Sequence, residues 1–303
     1  MRTACFAVLI ALNFVWAASP TVAAVLQPHL PPLGIVLLRF GFGAAAILLV
    51  WPWLPGALPR GWDLLRAVIM GLVVFTVGHR LQAAGVQLGS ASDASVLLAL
   101  DPFITSLGAA LFLHEKVPGR RWAGFAVAMV GVAVMSLWRG AGTTGFFLLG
   151  NVLFVLSFIG EAVWTVVGKP VADRWGVPKM VAVALLAGTL GNLLLAVPRA
   201  GVLTRAIAAL PWTGWAALAV LGVIGPAVRY RAWEAVLPPP PGGVAAMTIY
   251  LQPLISAGLA WAWAKAPLHA GHLVGGAIIA AGLVLGLTGS RGAGVTEDSP
   301  PPG

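Results

Sequence analysis

The chain has 303 residues, of which 59% are hydrophobic and only 9% charged, and its mean hydropathy is +0.95. Ordinary soluble domains carry roughly 25% charged residues, so the composition excludes a soluble enzyme or binding module and reads as a membrane protein of several spans. The formal charge of +9 does not point to nucleic acid, because the basic residues fall in short loops between apolar runs, where they report topology.

Ten apolar runs follow one another, at roughly 4–26, 33–51, 66–88, 91–113, 122–138, 146–168, 180–197, 212–234, 243–263 and 270–288. Each is about the 20 residues that a helix needs to cross hydrocarbon, and strand-like alternation is absent throughout. The first run follows Arg2 and passes Ala23-Ala24, a pattern shared with cleavable leaders; its length, and the match of Trp16 with Trp164 in the sixth run, favour a retained span. With the amino terminus inside, the cytoplasmic side collects Arg2, Arg60, Arg66, Lys116, Arg120, Arg121, Lys169, Arg174, Lys179 and Arg291, against Arg139, Arg199, Arg205 and Lys265 on the other side. That bias predicts both termini in the cytoplasm of a cell whose inner membrane holds the protein. A single cysteine, Cys5, excludes an intrachain disulfide, and no Cys/His spacing suits a metal.

Along the chain, span one places Asn13, Trp16 and Pro20 on one helical face. Arg39 lies a few residues into span two and reads as a structural or interfacial charge. Span three carries His79 and Arg80. Span four opens on Ser90-Ala91-Ser92-Asp93, where Asp93 reads as the helix cap in preference to a ligand. It then reaches Asp101-Pro102, about 15 Å along a helix and so near mid-membrane. Span five carries Gly124 and Gly131. The glycine-rich linker 139–145 leads to span six, where Glu161, Trp164 and Gly168 repeat the face of span one. Arg229, Arg231 and Glu234 sit near the cytoplasmic end of span eight, where their side chains can snorkel. Pro238 to Pro241 make a stiff turn, and span nine brings Tyr250, Gln252 and Pro253. His269 and His272 read as interfacial loop residues with no acid nearby. Gly275, Gly282 and Gly286 mark span ten at helix-packing spacing, and the tail 290–303 is polar, proline-rich and disordered in character.

A shift of 151 residues lays the second half on the first. Leu251-Gln252-Pro253-Leu254-Ile255 falls on Leu100-Asp101-Pro102-Phe103-Ile104, with Arg231 on Arg80, Ala245 on Ala94, Gly275 on Gly124 and Gly282 on Gly131. Five spans per half is odd, so the second copy enters the membrane in the opposite sense. The expected fold is an all-α membrane protein of ten transmembrane helices in two inverted five-helix repeats, 1–138 and 146–289. Proline removes a backbone donor and bends a helix, so Pro102 and Pro253 put a weak point at matching depth in each half, the arrangement that marks a transport site.

Seven ionisable groups besides histidine lie within the runs: Arg39, Arg80, Asp101, Glu161, Arg229, Arg231 and Glu234. At about 2.5–3.5 kcal/mol each in mid-membrane they would cost on the order of 20 kcal/mol unpaired, more than a typical folding margin of roughly 5–15 kcal/mol. They must pair, sit shallow or face a wet cavity. Asp101, with Arg80 as candidate partner, and Glu161 are read as cavity groups. Asn13, Trp16, His79, Trp164, Tyr250 and Gln252 complete the substrate-binding set, although both tryptophans also suit simple packing.

The run from Ser92-Asp93-Ala94-Ser95 through Asp101-Pro102 to Leu113-His114-Glu115-Lys116, followed by Gly124 and Gly131, resembles the drug/metabolite transporter superfamily, EamA type. The resemblance extends over about 4–288. The second half departs from it at Lys265-Ala266, where the glutamate would stand. It implies a ten-helix inverted-repeat fold that exports small metabolites, often amino acids or related compounds, through a central pocket lined by spans one, three, four, six, eight and nine. The expected function is therefore a secondary transporter with a small-molecule substrate, the lipid bilayer as its other partner and no cofactor. No phosphate-cradling loop for a nucleotide is present. Proton coupling through Asp101, Glu161 or His79 and uncoupled facilitation are equally consistent with these residues. Packing within the bundle explains the glycines better than a dimer seam, and a homodimer stays open. The alternative, an intramembrane lipid-modifying enzyme, lacks HExxH, a serine elbow or paired acids on one helix face.

Overall fold

The computed structural model describes residues 2–112, 114, 116–138, 144–224, 252–266 and 268–287. Part of the linker, the Pro238 turn, the tail, Glu115, Arg229, Arg231, Glu234 and Tyr250 fall outside the described residues. Every regular element among the described residues is helical. In chain order the α-helices are α1 (Arg2–Leu26), α2 (Pro32–Val50), α3 (Trp62–Gly71), α4 (His79–Leu88), α5 (Ala91–Leu97), α6 (Asp101–Phe112), α7 (Gly119–Leu137), α8 (Thr144–Ser157), α9 (Ile159–Trp175), α10 (Val177–Ala196), α11 (Ala200–Ala208), α12 (Trp212–Ala219), α13 (Gln252–Ala262) and α14 (Ala270–Leu287).

Among the described residues five helices are long and apolar enough to cross a membrane: Pro32–Trp53, Trp62–Leu88, Gly119–Leu137, Phe146–Trp175 and Val177–Ala208. A sixth is added if Ala91–Leu100 and Phe103–Phe112, bent by 44°, form one span. Shorter apolar helices, Asn13–Leu26, Trp212–Ile224 and Ala270–Gly286, stand where the first, eighth and tenth runs were expected. The stretch after the seventh run is not a simple loop. It folds as a short 3-10 turn and α11, whose Leu203 is buried beside Leu33 and Ala196.

Four spans depart from regular α-helix, and each departure has a position. Between α3 and α4 the chain runs as π-helix over Leu72–Gly78, and after α12 it does so again over Val220–Ile224, in the run that the 151-residue shift equates with the first. Between α5 and α6 it tightens to 3-10 over Leu98–Leu100, directly before Asp101-Pro102. Proline cannot donate to the preceding turn, which accounts for that break. Span six breaks at Phe158 between α8 and α9 with no proline in the interruption.

Small residues set the crossings. A Cβ on Gly124 would lie 2.6 Å from Gly282 O, and one on Gly131 would lie 2.7 Å from Gly275 O. No side chain fits there, so α7 and α14 touch backbone to backbone. The 151-residue shift turns the pair Gly124–Gly282 into Gly275–Gly131, so the duplication maps this contact onto itself. The two helices run antiparallel. So do α2 and α10, where Lys179 Nζ donates to Trp51 O at 3.0 Å near one end and Thr189 Oγ1 donates to Phe40 O at 3.2 Å further along. The backbone carries the same signature: His114 (φ 55°) and Lys265 (φ 51°), the two non-glycine residues of positive φ among those described, are 151 residues apart and follow α6 and α13. Exposed tryptophans gather at both ends of the bundle, Trp53, Trp62 and Trp122 at one and Trp138, Trp212, Trp261 and Trp263 at the other, as expected of rings placed at the two interfaces of a bilayer.

The seam predicts a sharp positional contrast. Gly131→Val should lower the stability of the detergent-solubilised protein by about 1–3 kcal/mol, whereas Gly258→Val, with open space around its Cβ, should be close to neutral in the same thermal unfolding measurement.

Candidate functional site

A cavity of about 250 Å³ opens in the middle of the bundle, with walls from both halves of the chain. Its acids come from the broken helices. Asp101 is the first residue of α6 and Glu161 lies in the first turn of α9, so each carboxylate stands at a helix start, where the helix dipole favours negative charge. Thr105 Oγ1 donates to Asp101 Oδ1 at 3.0 Å. Among the described residues nothing donates to the carboxylate of Glu161. The two helices can lie close because a Cβ on Gly108 would meet that of Ala162 at 2.7 Å.

The π-helical stretch supplies the opposite wall. Its widened turn leaves Val74 O to accept from the ring Nδ1 of His79 at 2.9 Å, so Nδ1 carries a proton. The ring is boxed edge-on by Phe40 at 4.8 Å and stacked on Phe75 at 5.9 Å, while Trp164 meets Phe75 at 5.8 Å. Gln252, buried at the start of the described part of α13, lines the cavity and donates through Nε2 to Asn13 Oδ1 at 2.7 Å.

Six of the expected residues therefore line one cavity: Trp16, His79, Asp101, Glu161, Trp164 and Gln252. Asn13 stands behind Gln252 as its acceptor. Arg80 does not line the cavity and forms no ion pair with Asp101 among the described residues. Pro102 and Pro253 are the second residues of α6 and of the described part of α13. The sequence reading left out Ser19 and Gln82, although each lies three residues from a named lining residue and so on its helical face. Phe40, Phe75 and Thr105 carried no signal beyond their chemistry.

Two expectations are corrected here. Arg39, read as interfacial, lines the cavity: it is the eighth residue of α2, about 10 Å along the helix. Asp93 and His272, read as a cap and a loop residue, are both buried and hydrogen-bonded at 2.7 Å between Oδ1 and Nε2. The cap is Ser90, whose Oγ accepts from Asp93 N at 3.0 Å. His269 N donates to His272 Nδ1 at 3.0 Å, so the proton shared with Asp93 sits on Nε2. Nearby, Ser92 Oγ donates to Ala266 O.

This cluster ties the first half to the second at one end of the bundle, and a different one does so at the other. Asp63, buried at the start of α3, accepts from Arg174 Nη1 at 3.0 Å and Trp175 Nε1 at 2.9 Å at the end of α9, and from Arg66 Nη1 at 3.0 Å. The cavity lies between the two.

Apolar helices around a cavity that gathers ionisable side chains, with the two halves of a duplicated chain forming its walls, define a multi-pass membrane protein of the transporter class. The chain belongs to the EamA-like transporter family, whose model matches residues 2–137 and 148–288. It is similar to the uncharacterized transporter YdfC of Bacillus subtilis (strain 168), 23% identical over 271 residues that make up 88% of this chain and 86% of the relative. It is also similar to a probable terminal-alkyne amino-acid exporter of Streptantibioticus cattleyicolor, 25% identical over 83% of this chain and 82% of that protein. The uncharacterized inner membrane transporter YedA of Escherichia coli (strain K12) is 25% identical over 83% and 80%. A solved crystal structure matches the fold with a TM-score of 0.58 at 19% identity, covering 95% of this chain and 98% of its own.

The buried Asp93–His272 contact has a measurable consequence. Asp93→Leu or His272→Leu should each cost about 3–5 kcal/mol of stability, and the double variant less than the sum, since neither side chain of the pair is then left buried without the other. Asp173→Ala, which breaks an exposed pair with Lys169, should cost under about 1 kcal/mol in the same unfolding assay.

Proposed function

We propose that the protein is a secondary transporter of the inner membrane that exports a small metabolite, an amino acid or a related organic compound, by alternating access. Two inverted five-helix repeats with both termini in the cytoplasm rock about the cavity. Asp63–Arg174 and Asp93–His272 act as the gates at its two ends, each joining one half to the other.

The single observation that carries this reading is the cavity itself. It gathers Asp101, Glu161, His79 and two tryptophans from both halves at the depth where a helix break leaves polar groups, and the cost of ionic groups in hydrocarbon gives such an arrangement few other uses. The antiparallel run of α7 with α14 and of α2 with α10 supports inversion, because each pair is equivalent under the duplication. The bias of basic residues supports the orientation. The amino-acid cargo follows from the name of the Streptantibioticus relative and from a chamber that mixes acidic, basic and aromatic groups.

Counterflow in liposomes with a pool of amino acids tests the reading. The wild-type protein should exchange at least one pool member, and Asp101→Asn or Glu161→Gln should cut that exchange about tenfold, the loss expected for one charge-assisted contact. Unchanged exchange in both variants would remove these carboxylates from the transport site.

A further inference from the structure

Arg39 is the one feature of the cavity that the preceding reading does not use. Its guanidinium lines the chamber beside Ser19, His79 and Gln82, and the same four residues border an adjoining recess of about 20 Å³. Among the described residues it makes a single hydrogen bond, from Nη1 to Ser19 Oγ at 2.5 Å, and it stands 5.3 Å from the centre of the Phe40 ring. Nε is buried with no acceptor, and among the described residues no carboxylate lies within ion-pair distance. Asp101 and Glu161 share the chamber without pairing with it.

A guanidinium is always charged and presents parallel donors along its edges. In a membrane a guanidinium with no counter-ion among the described residues is a standing cost, and here Nη2 has no acceptor among the described residues and is not closed off as Nε is. A carboxylate supplies that acceptor in a charge-assisted hydrogen bond. The rest of the chamber limits the anion further. One cation faces two acids, so a dianion such as a phosphate monoester meets the stronger repulsion, whereas in a cargo that carries an ammonium group as well the carboxylate meets Arg39 and the ammonium meets the acids. Aromatic rings from Trp16, Phe75 and Trp164 line the space beyond, which suits an apolar body, and an ammonium group on the cargo would face Asp101 and Glu161.

We propose that Arg39 is the anion anchor of this chamber: it takes the carboxylate of the cargo in a charge-assisted hydrogen bond from Nη2, with Ser19 holding the guanidinium in place. This deepens the transporter reading and rests on it for the word cargo. It makes Arg39 a specificity-determining residue that requires a monocarboxylate with an apolar body.

The test is equilibrium binding to the full chain in nanodiscs with two matched probe pairs, 3-phenylpropanoate with 3-phenylpropanamide and leucine with leucinamide. In the wild-type protein at least one carboxylate should bind about tenfold tighter than its amide, the factor expected for a charge-assisted bond. Arg39→Gln should bring that pair within about twofold of each other, and Arg39→Lys, which keeps the charge and loses the fork, should fall between. Ser19→Ala, which leaves Arg39 intact, should weaken the carboxylate and spare the amide, so the site is still tested if Arg39→Gln fails to fold. The anchor is overturned if neither pair shows a carboxylate preference in the wild type, if none of the probes binds, or if the preference survives in Arg39→Gln. Counterflow separates the two ideas: exchange with no carboxylate preference keeps the transporter and removes the anchor, while Arg39-dependent carboxylate binding without exchange does the reverse.

Discussion

The structure depends on one constraint, that a charged or unpaired polar group inside hydrocarbon costs several kcal/mol and must be given somewhere else to go. Helix breaks meet this constraint in two ways at once. They place Asp101 and Glu161 in the first turn of a helix, where the local field favours a carboxylate, and they turn the irregular backbone toward a cavity wall. The π-helical stretch works similarly on the other side, where the carbonyl of Val74 holds the His79 ring in a fixed tautomer beside the same space. Chamber and helix irregularities are therefore one feature. A regular bundle with the same residues would have to pair these charges in the dry or leave them in lipid.

The two halves touch in two different ways. Along α7 and α14 the contact is backbone against backbone, with no flexible side chain between them, which suits a rigid seam. At the ends of the bundle the contacts include directional polar bonds, Asp63 with Arg174 and Trp175, and Asp93 with His272. The cavity lies where the polar contacts are replaced by open space.

Much of this was legible in the chain. The composition excluded a soluble fold because so few charged residues remain to cover a surface. The 151-residue repeat was visible in Gly124/Gly275 and Gly131/Gly282, and it proved to be a contact rule, since the repeat maps the touching pair onto itself. The acids at 101 and 161 and the tryptophans at 16 and 164 were read as a wall because spacing along a helix fixes which side chains share a face.

What the sequence determined is what depends on local periodicity and on the cost of transfer into lipid: helices, the duplication and the need for a place to put each buried charge. What only the tertiary structure decided is which groups meet. His272 finds Asp93 across 179 residues, Asp63 finds Arg174 across 111, and Arg39 reaches the chamber although its distance along the helix suggested an interface. The physical reason is that an ionisable group in a helix has the same preference for any partner or cavity of opposite character. The choice among them is made by close packing of glycine-lined helices, a sum over the whole bundle that no single stretch of chain contains.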